Sequence, residues 1–287
     1  MLHRLLVSVL ICLAAPAWAT DCPQHYAGGQ APNIVNVKLR PRTQEVCFNA
    51  FAVMHSGVTR GPLWSAEHLL RASVEEARDL TRRDSFHAES ALPSDDRAEL
   101  SDYSRSGYDR GHMSPNGDMP DRQSQGQSFS LSNIVPQVHM NNAGVWAGIE
   151  AAVRQLAVDE GDVYVISGPA YIGSDIKQIG NVLVPTHLWK VVYSPSRHAA
   201  GAYMVTNDET RDYSSVSVAD LERIVGLSLL PAVPEKVRQA GMNLPRPIAN
   251  GGTGGGKRKT RGRPEDDYTL KDIVRGILER IERASRK

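Results

Sequence analysis

Two short stretches decide the fold: residues 108–112 read YDRGH, and residues 131–150 read LSNIVPQVHMNNAGVWAGIE. His112 carries the side chain best suited to general base catalysis near neutral pH, and the guanidinium of Arg110 can bind two phosphate oxygens at once. A histidine taken alone is more often structural. The functional interpretation therefore depends on the second stretch as well as the first.

Apolar residues around these stretches predict a mixed fold. Val145, Ile149, Val153 and Leu156 recur at helical spacing, which predicts a helix over 142–156 packed on a sheet. Strands are predicted over 45–55, 163–167, 182–193 and 202–206, and further helices over 65–70 and 218–230. Residues 84–107 are acidic, Ser-rich and poorly periodic, which indicates a long loop of the kind that is usually functional or disordered. Hairpin-like neighbouring strands favour an α+β fold over a doubly wound parallel one.

The two stretches together resemble the signature of the DNA/RNA non-specific endonucleases, exported or organellar nucleases built on a ββα-metal core. That signature has Asp-Arg-Gly-His on a strand, then a Ser-Asn-x-x-Pro-Gln turn, then a helix that opens with a metal-binding asparagine. The matching residues here are Asp109, Arg110, Gly111, His112, Ser132, Asn133, Pro136, Gln137 and Asn142. The similarity extends over residues 45–235. It implies a ββα-metal core with a mostly antiparallel central sheet flanked by helices.

The resemblance implies that His112 and Asn142 carry the chemistry. His112 would be the general base that takes a proton from the attacking water. Asn142 would be the direct protein ligand of a Mg²⁺ ion, for which Mn²⁺ could substitute, and waters would complete the coordination shell. The implied reaction is internal hydrolysis of DNA and RNA to 5′-phosphate ends. Little sequence specificity is expected, because phosphate contacts carry no base information.

Glu150 and Arg154 follow Asn142 at spacings of eight and four residues, which would place all three on one helix face. By resemblance, Glu150 would hold a metal-bound water and Arg154 would touch phosphate. The alternative is an ordinary surface ion pair between Glu150 and Arg154. Asp109 is expected to be a structural partner rather than a base, and His139 is not expected to be a metal ligand.

Three more arginines are candidates for phosphate binding. Arg110 would either contact phosphate or brace its strand. Residues 82–89 offer two matches for a further family arginine. We prefer Arg83 as the counterpart of this family arginine, and Arg82 is the alternative. If neither binds phosphate, the two arginines belong to a solvated charge pair with a purely structural role.

The charges divide the chain into three parts. Residues 1–19 have a basic Arg4, a short apolar run and a small-x-small site at 17–19, which predicts a cleaved signal peptide. Residues 20–250 carry 21 Lys/Arg and 26 Asp/Glu, and residues 251–287 carry 11 and 6. These net charges, −5 and +5, exclude a generally basic surface on the body. We expect long-range attraction for polyanions to reside mainly in the last 37 residues.

Cysteine use indicates an oxidising compartment. Cys12 leaves with the signal peptide, and Cys22 and Cys47 remain as an even pair, which favours one disulfide over two free thiols. A disulfide that closes this loop of about 25 residues would stabilise the fold by roughly 3 kcal/mol, mainly by constraining the unfolded chain. A zinc site is disfavoured because no Cys-x-x-Cys spacing accompanies the pair. We therefore predict a periplasmic or secreted protein.

The predicted domain organisation is a nuclease domain over 20–250, a Gly-rich basic linker over 251–264 and an amphipathic helix over 265–287. No strand precedes the glycine run, so it is a linker rather than a phosphate-binding loop. The apolar stripe over 270–281 needs a partner, which could be the body, a second copy or another protein. No apolar run is long enough to span a membrane.

A second functional hypothesis keeps the scaffold without the activity. Such a protein would bind nucleic acid or a protein partner and would be expected to have lost His112 or Asn142. Both residues are present. The sequence therefore favours an exported, Mg²⁺-dependent endonuclease.

Overall fold

The computed structural model describes residues 20–248. The predicted signal peptide (1–19), basic linker (251–264) and C-terminal helix (265–287) lie outside the described residues and stay predictions. Within 20–248, no helix is both long enough and apolar enough to cross a membrane.

The strands form one large antiparallel sheet and three short pairs. In chain order they are β1 (Asn33–Ile34), β2 (Thr43–Cys47), β3 (Ala52–Ser56), β4 (Gly61–Leu70), β5 (Asp109–His112), β6 (Ile134–Gln137), β7 (Asp162–Ala170), β8 (Gln178–Ile179), β9 (Val182–Leu183), β10 (His187–Ser194), β11 (Ala199–Thr206), β12 (Tyr213–Val216) and β13 (Leu227–Ser228). The seven-stranded sheet has the order β12-β11-β10-β7-β4-β3-β2. Its neighbouring strands are antiparallel throughout, which confirms the predicted α+β fold with an antiparallel central sheet.

Helices flank this sheet. The α-helices are α1 (Arg71–Arg78), α2 (Leu100–Tyr103), α3 (Arg122–Ser128), α4 (Ala147–Glu160), α5 (Val218–Val225) and α6 (Glu235–Ala240). A π-helical turn, Asn141–Trp146, leads directly into α4. The antiparallel pair β5–β6, this turn and α4 together form a ββα unit that contains both of the stretches that decided the sequence interpretation.

The core lies on both faces of the large sheet. Along β10, Leu188 and Val192 pack with Ile149 of α4 on one face. Trp189, between them in sequence, packs with Trp64 on the other face. This alternation follows from the two-residue period of a strand. Alternate residues of the central strands therefore point toward α4, where the motif residues also lie.

A disulfide joins Cys22 to Cys47, with 5.8 Å between the Cα atoms. It connects the N-terminal arm to β2. Glu45 holds the same arm, since it accepts hydrogen bonds from the hydroxyls of Thr20 and Tyr26, each at 2.8 Å. The arm is thus attached to the sheet edge by a covalent bond and by a carboxylate.

The helix predicted over 65–70 is wrong. These residues belong to β4, and the helix begins only at Arg71. Ser65 is followed three residues later by His68 and not by the Glu or Gln of a capping box, so the local helix signal is weak. By contrast, β4 pairs with β3 on one side and with β7 on the other. Pairing on both sides outweighs a weak local helix signal.

Other boundaries differ for local reasons. The predicted strand over 182–193 is two strands, with Pro185 between them, because proline cannot donate to a strand ladder. The predicted strand over 45–55 is the hairpin of β2 and β3. The helix predicted over 218–230 ends at Val225, because Gly226 adopts φ 70° and caps it.

Candidate active site

His112, the last residue of β5, lies in an aromatic enclosure. Its ring centroid is 5.5 Å from that of Phe86 and 5.1 Å from that of Phe129, and the residue is only 8% exposed. Burial, together with the positive charges of Arg82 and Arg110, lowers the pKa of His112 to about 3. Its Nε2 has no hydrogen-bond partner among the described residues. The imidazole is therefore neutral at pH 7.

The glycine before His112 is required by the neighbouring strand. A Cβ on Gly111 would overlap the side chain of Gln137. Gln137 Nε2 in turn donates to Asn141 Oδ1 at 2.6 Å, and Asn141 Nδ2 donates to the carbonyl of Thr206 at 2.7 Å. Gln137 and Asn141 thus fix the π-helical turn against β6 and β11.

Asn133 fixes the chain on the other side of His112. Its Oδ1 accepts from the backbone N–H of Ser114 at 3.0 Å. Its Nδ2 donates to the carbonyls of Ser114 at 2.8 Å and Ser128 at 2.9 Å. The Ser-Asn-x-x-Pro-Gln motif therefore supplies buried clamps that hold the hairpin in shape.

Asn142 lies in the π-helical turn with its amide oriented by a carboxylate. Asn142 Nδ2 donates to Asp109 Oδ2 at 2.9 Å, and the same oxygen lies 2.8 Å from Nδ1 of the exposed His139. Because the nitrogen of the amide faces Asp109, its oxygen points away from that carboxylate. Asp109 thus contacts both Asn142 and His139, and the roles expected for Asp109 and His139 stay predictions.

The donor set around Asn142 suits a hydrated magnesium ion. Within residues 20–248, one group of three His, Cys, Asp or Glu donor atoms is close enough to hold a metal, formed by Cys22, Glu45 and Cys47. Both of those cysteines are consumed by the disulfide. An ion with several protein carboxylate or imidazole ligands therefore has no site in this part of the chain. Mg²⁺ needs few protein ligands, because it keeps several of its waters.

Glu150 and Arg154 lie together on α4, but they do not form an exposed pair. Arg154 Nη1 contacts Asp118 Oδ1 at 2.6 Å, and the Asp118 side chain is only 4% exposed. Burial raises the pKa of Glu150 to about 7; Asp118 adds to the rise, and Lys190 and Arg154 oppose it. Glu150 therefore changes its charge close to neutral pH.

Lys190 and Glu67 extend this buried group of charges from the central strands. The Lys190 ammonium donates to Ser167 Oγ at 2.6 Å and to the carbonyl of Met113 at 3.3 Å. Burial raises the pKa of Glu67 well above its usual range, and its Oε1 has no hydrogen-bond partner among the described residues. A protonated Glu67 removes one negative charge from a region where Lys190 and Arg154 face Asp118 and Glu150.

A cavity of about 560 Å³ opens beside Asn142 and Asp109. Arg82 and Arg110 line it, and each guanidinium lies over an aromatic ring of the His112 enclosure. Arg110 Cζ is 4.1 Å from the centroid of Phe86, and Arg82 Cζ is 5.3 Å from that of Phe129. Arg110 is exposed, so it contributes charge to the cavity instead of bracing the strand from within.

Arg83, which we preferred as the phosphate-binding arginine, lies away from the cavity. It does not line this cavity, and its backbone N–H donates to Gln125 Oε1 at 3.3 Å. Arg82 lines the cavity and its charge acts on His112. The structure therefore favours the alternative, Arg82, at this position.

A sequence profile of the DNA/RNA non-specific endonucleases matches residues 30–236. The chain belongs to this family. It is 38% identical over 201 residues to the mitochondrial nuclease EXOG of Danio rerio, covering 62% of this chain and 58% of that protein. It is 35% identical over 200 residues to nuclease C1 of Cunninghamella echinulata, covering 62% of this chain and 79% of that one. The chain thus spans less than two thirds of the length of EXOG.

The fold is also similar to a solved relative. The crystal structure of the EndoG/EndoGI complex, which concerns the mechanism of EndoG inhibition, matches with a TM-score of 0.62 and 30% identity. The match covers 67% of this chain and 88% of the solved one. This chain therefore shares its ββα fold with the solved EndoG chain.

Sequence reasoning missed two members of the buried charged group, Glu67 and Asp118. Glu67 stands in the largely apolar stretch 61–70, and an acidic residue in such a stretch is a signal of a paired or neutralised buried charge. Asp118 follows a glycine in a polar segment and has no comparable signal. It can be found only from the fold, which brings it to Arg154.

Proposed function

We propose that this endonuclease hydrolyses internal phosphodiester bonds of DNA and RNA in a Mg²⁺-dependent reaction that leaves 5′-phosphate ends. One observation carries the proposal. A single ββα unit contains both a neutral, unpartnered histidine, His112, and an asparagine, Asn142, whose amide is oriented by Asp109. Family membership supports the reaction class.

His112 is the general base in this proposal. It is neutral over the physiological range, so it is able to accept a proton from the attacking water. A pKa of about 3 makes it a weak base in the free protein, and part of the cause is the pair Arg82 and Arg110. A bound phosphodiester would offset these two positive charges. His112 would then become more basic once the substrate is in place.

The arginines bind and orient the phosphate. Arg82 and Arg110 line the cavity next to Asn142 and are each packed on an aromatic ring, which limits their freedom before substrate arrives. Guanidinium groups donate two parallel hydrogen bonds to phosphate oxygens. Arg154 is paired with Asp118, and we propose that it completes the positive side of the site from α4. All of these contacts are proposed to be made to phosphate and none to a base, so they carry no sequence information. This suits an enzyme that cleaves both DNA and RNA.

Asn142 would hold the magnesium ion directly through its amide oxygen, and Glu150 would hold it through water. When bound, the ion would stabilise the charge that develops on the phosphate and the leaving 3′ oxygen. Asp109 fixes the amide so that the oxygen, and not the nitrogen, is presented. Glu150 needs to be ionised to accept hydrogen bonds from water. Lys190 and Arg154 favour that form, since both oppose the rise in its pKa.

We also propose that the protein is exported to the periplasm or secreted. The Cys22–Cys47 disulfide supports an oxidising compartment. N-terminal sequencing of the protein recovered from the periplasm or the medium tests this. A mature chain that begins at Thr20 is expected, and a chain retained in the cytoplasm with Met1 would contradict it.

The activity is tested with supercoiled plasmid and with RNA, each in Mg²⁺ and in EDTA. We expect the wild-type protein to nick and degrade both substrates in Mg²⁺ only. His112→Ala is expected to reduce the rate by about 10²- to 10⁴-fold, the usual contribution of a general base. His87→Ala is the matched control, because His87 is exposed and does not line the cavity. Intact substrates with the wild type, or equal rates for His112→Ala and the wild type, would overturn the proposal.

A further inference from the structure

Arg105 is a cationic residue of the cavity that the proposed mechanism does not use. It lines the same 560 Å³ cavity as Arg82, Arg110 and Asn142, on the loop between α2 and β5. Its side chain is exposed. Within residues 20–248 no hydrogen bond or ion pair engages its guanidinium, in contrast to Arg82, which pairs with Asp84.

The backbone of Arg105 is strained. Its φ is 55°, in the left-handed region that costs free energy for any residue with a Cβ. Arg42, Arg60 and His198 are also left-handed, but of these four residues only Arg105 lines the cavity. A glycine would relieve this strain, so the arginine is held here at a cost to stability. Such strain at the edge of a site points to a function for the side chain.

The charged side chains of the cavity wall are mostly positive. Three guanidinium groups line it, those of Arg82, Arg105 and Arg110. The one lining carboxylate among the described residues, that of Asp109, is already engaged by Asn142 and His139.

We propose that Arg105 binds the phosphate next to the scissile one, so that the cavity holds the neighbouring nucleotide of the same strand. This inference rests on the proposed function, since it takes nucleic acid as the substrate. The cavity is large enough for more than a single phosphate, and Arg82 and Arg110 lie on its catalytic side. Arg105 is thus a residue that extends the contact of the enzyme with the strand beyond the scissile phosphate.

The test compares Arg105→Gly with Arg60→Gly. Both substitutions remove one guanidinium and both relieve a left-handed φ, which is 53° at Arg60, but Arg60 lies outside the cavity. Binding of a short fluorescein-labelled single-stranded DNA is measured by anisotropy in EDTA over a range of salt. Arg105→Gly is expected to weaken binding about tenfold, in line with the loss of a hydrogen bond to a charged group. The slope of log affinity against log salt should become shallower by about 0.7. Arg60→Gly should leave both quantities at the wild-type values.

A second measurement uses cleavage. A dinucleoside monophosphate has the scissile phosphate and no neighbour, so Arg105→Gly should lose more kcat/KM on the longer DNA than on this minimal substrate. Equal losses on the two substrates, or equal binding and salt slopes for Arg105→Gly and Arg60→Gly, would overturn the assignment. Wild-type protein that cleaves neither DNA nor RNA would overturn the proposed function instead, so the two failures are distinguishable.

Discussion

The side-chain nitrogen of Asn142 donates a hydrogen bond to Asp109 Oδ2 at 2.9 Å, across the junction between the π-helical turn and β5. This contact decides which atom of the amide is presented to a ligand. Asp109→Asn would replace a carboxylate, which only accepts, with an amide that can present either its oxygen or its nitrogen, so the Asn142 side chain would no longer be held in one orientation. We expect a 10- to 100-fold rise in the Mg²⁺ concentration needed for half-maximal activity, the usual range for a lost supporting contact at a metal ligand.

Asp175→Asn is the control for this measurement. Asp175 is exposed, and the substitution removes the same charge away from the site. Metal titrations of the nicking rate should therefore separate the two variants. If both show the wild-type Mg²⁺ dependence, Asp109 does not orient the metal ligand.

Arg82 and Arg83 make a matched pair of neighbouring arginines with different surroundings. Arg82 lines the cavity, and Arg83 does not. We expect Arg82→Ala to raise KM for DNA about tenfold, as befits a lost charge-assisted hydrogen bond to phosphate. Arg83→Ala should stay within about twofold, the usual range for a surface substitution. The reverse order of effects in steady-state kinetics would restore Arg83 as the phosphate ligand.

The rate should depend on pH through Glu150. Its pKa is raised to about 7, chiefly by burial, and the proposed role needs the carboxylate. As the pH falls below about 7, the ionised fraction of Glu150 falls, so kcat/KM should fall with it, approaching tenfold per pH unit. His112, with a pKa near 3, stays neutral over this range and adds no acid limb.

The variant Glu150→Gln distinguishes the contribution of Glu150 to the pH dependence of the rate from that of His112. It should be slower than the wild type at every pH and should lack the acid limb between about pH 5 and 7, because the amide does not titrate there. Kinetics across this range with stability monitored in parallel provide the check. An acid limb that persists unchanged in Glu150→Gln would assign the titration to another group.

The disulfide should contribute measurably to stability. Cys22 and Cys47 are 25 residues apart, and closing a loop of this length is worth about 3 kcal/mol in the unfolded-chain account. The double variant Cys22→Ala with Cys47→Ala should therefore unfold at lower urea concentration, with a loss of that size. Glu45 should keep the arm partly attached through Thr20 and Tyr26. A free energy of unfolding unchanged from the wild type would show that the disulfide does not stabilise the fold.

Local signals in the sequence predicted the α+β fold class, and the resemblance to the nuclease family implied the ββα unit. The helical spacing from Val145 to Leu156 and the strand-like runs after residue 162 correspond to α4 and to β7, β10 and β11. The sequence-based prediction of a helix over 65–70 is wrong, because pairing on both sides of β4 decides the structure there. One of these partners, β7, lies far along the chain from β4, so no local pattern reveals the pairing on that side.

The candidate site divides in the same way. His112 and Asn142 stand in contiguous motifs and could be proposed from the sequence, and the structure brings them into one unit through Asp109. Whether Arg82 or Arg83 faces the cavity depends on the direction of two adjacent side chains in an irregular segment, which spacing cannot determine. Likewise, the charged neighbours of Glu150 include Glu67 on β4 and Lys190 on β10. Both residues are far from Glu150 along the chain, so spacing does not reveal them.

The π-helical turn Asn141–Trp146 limits how this family member can change its length. Gly144 has non-helical dihedrals inside this turn (φ −104°, ψ −106°), so the chain kinks between Asn142 and α4, and deleting one residue here would reset the phase of the helix that follows. Each residue of an α-helix advances about 100° around the axis. Everything after the deletion would then rotate by that amount relative to Asn142, carrying Glu150 and Arg154 away from the positions that they share with Asp118. The relative phase of Asn142 and α4 therefore depends on the kink at Gly144, which makes this segment intolerant of deletions.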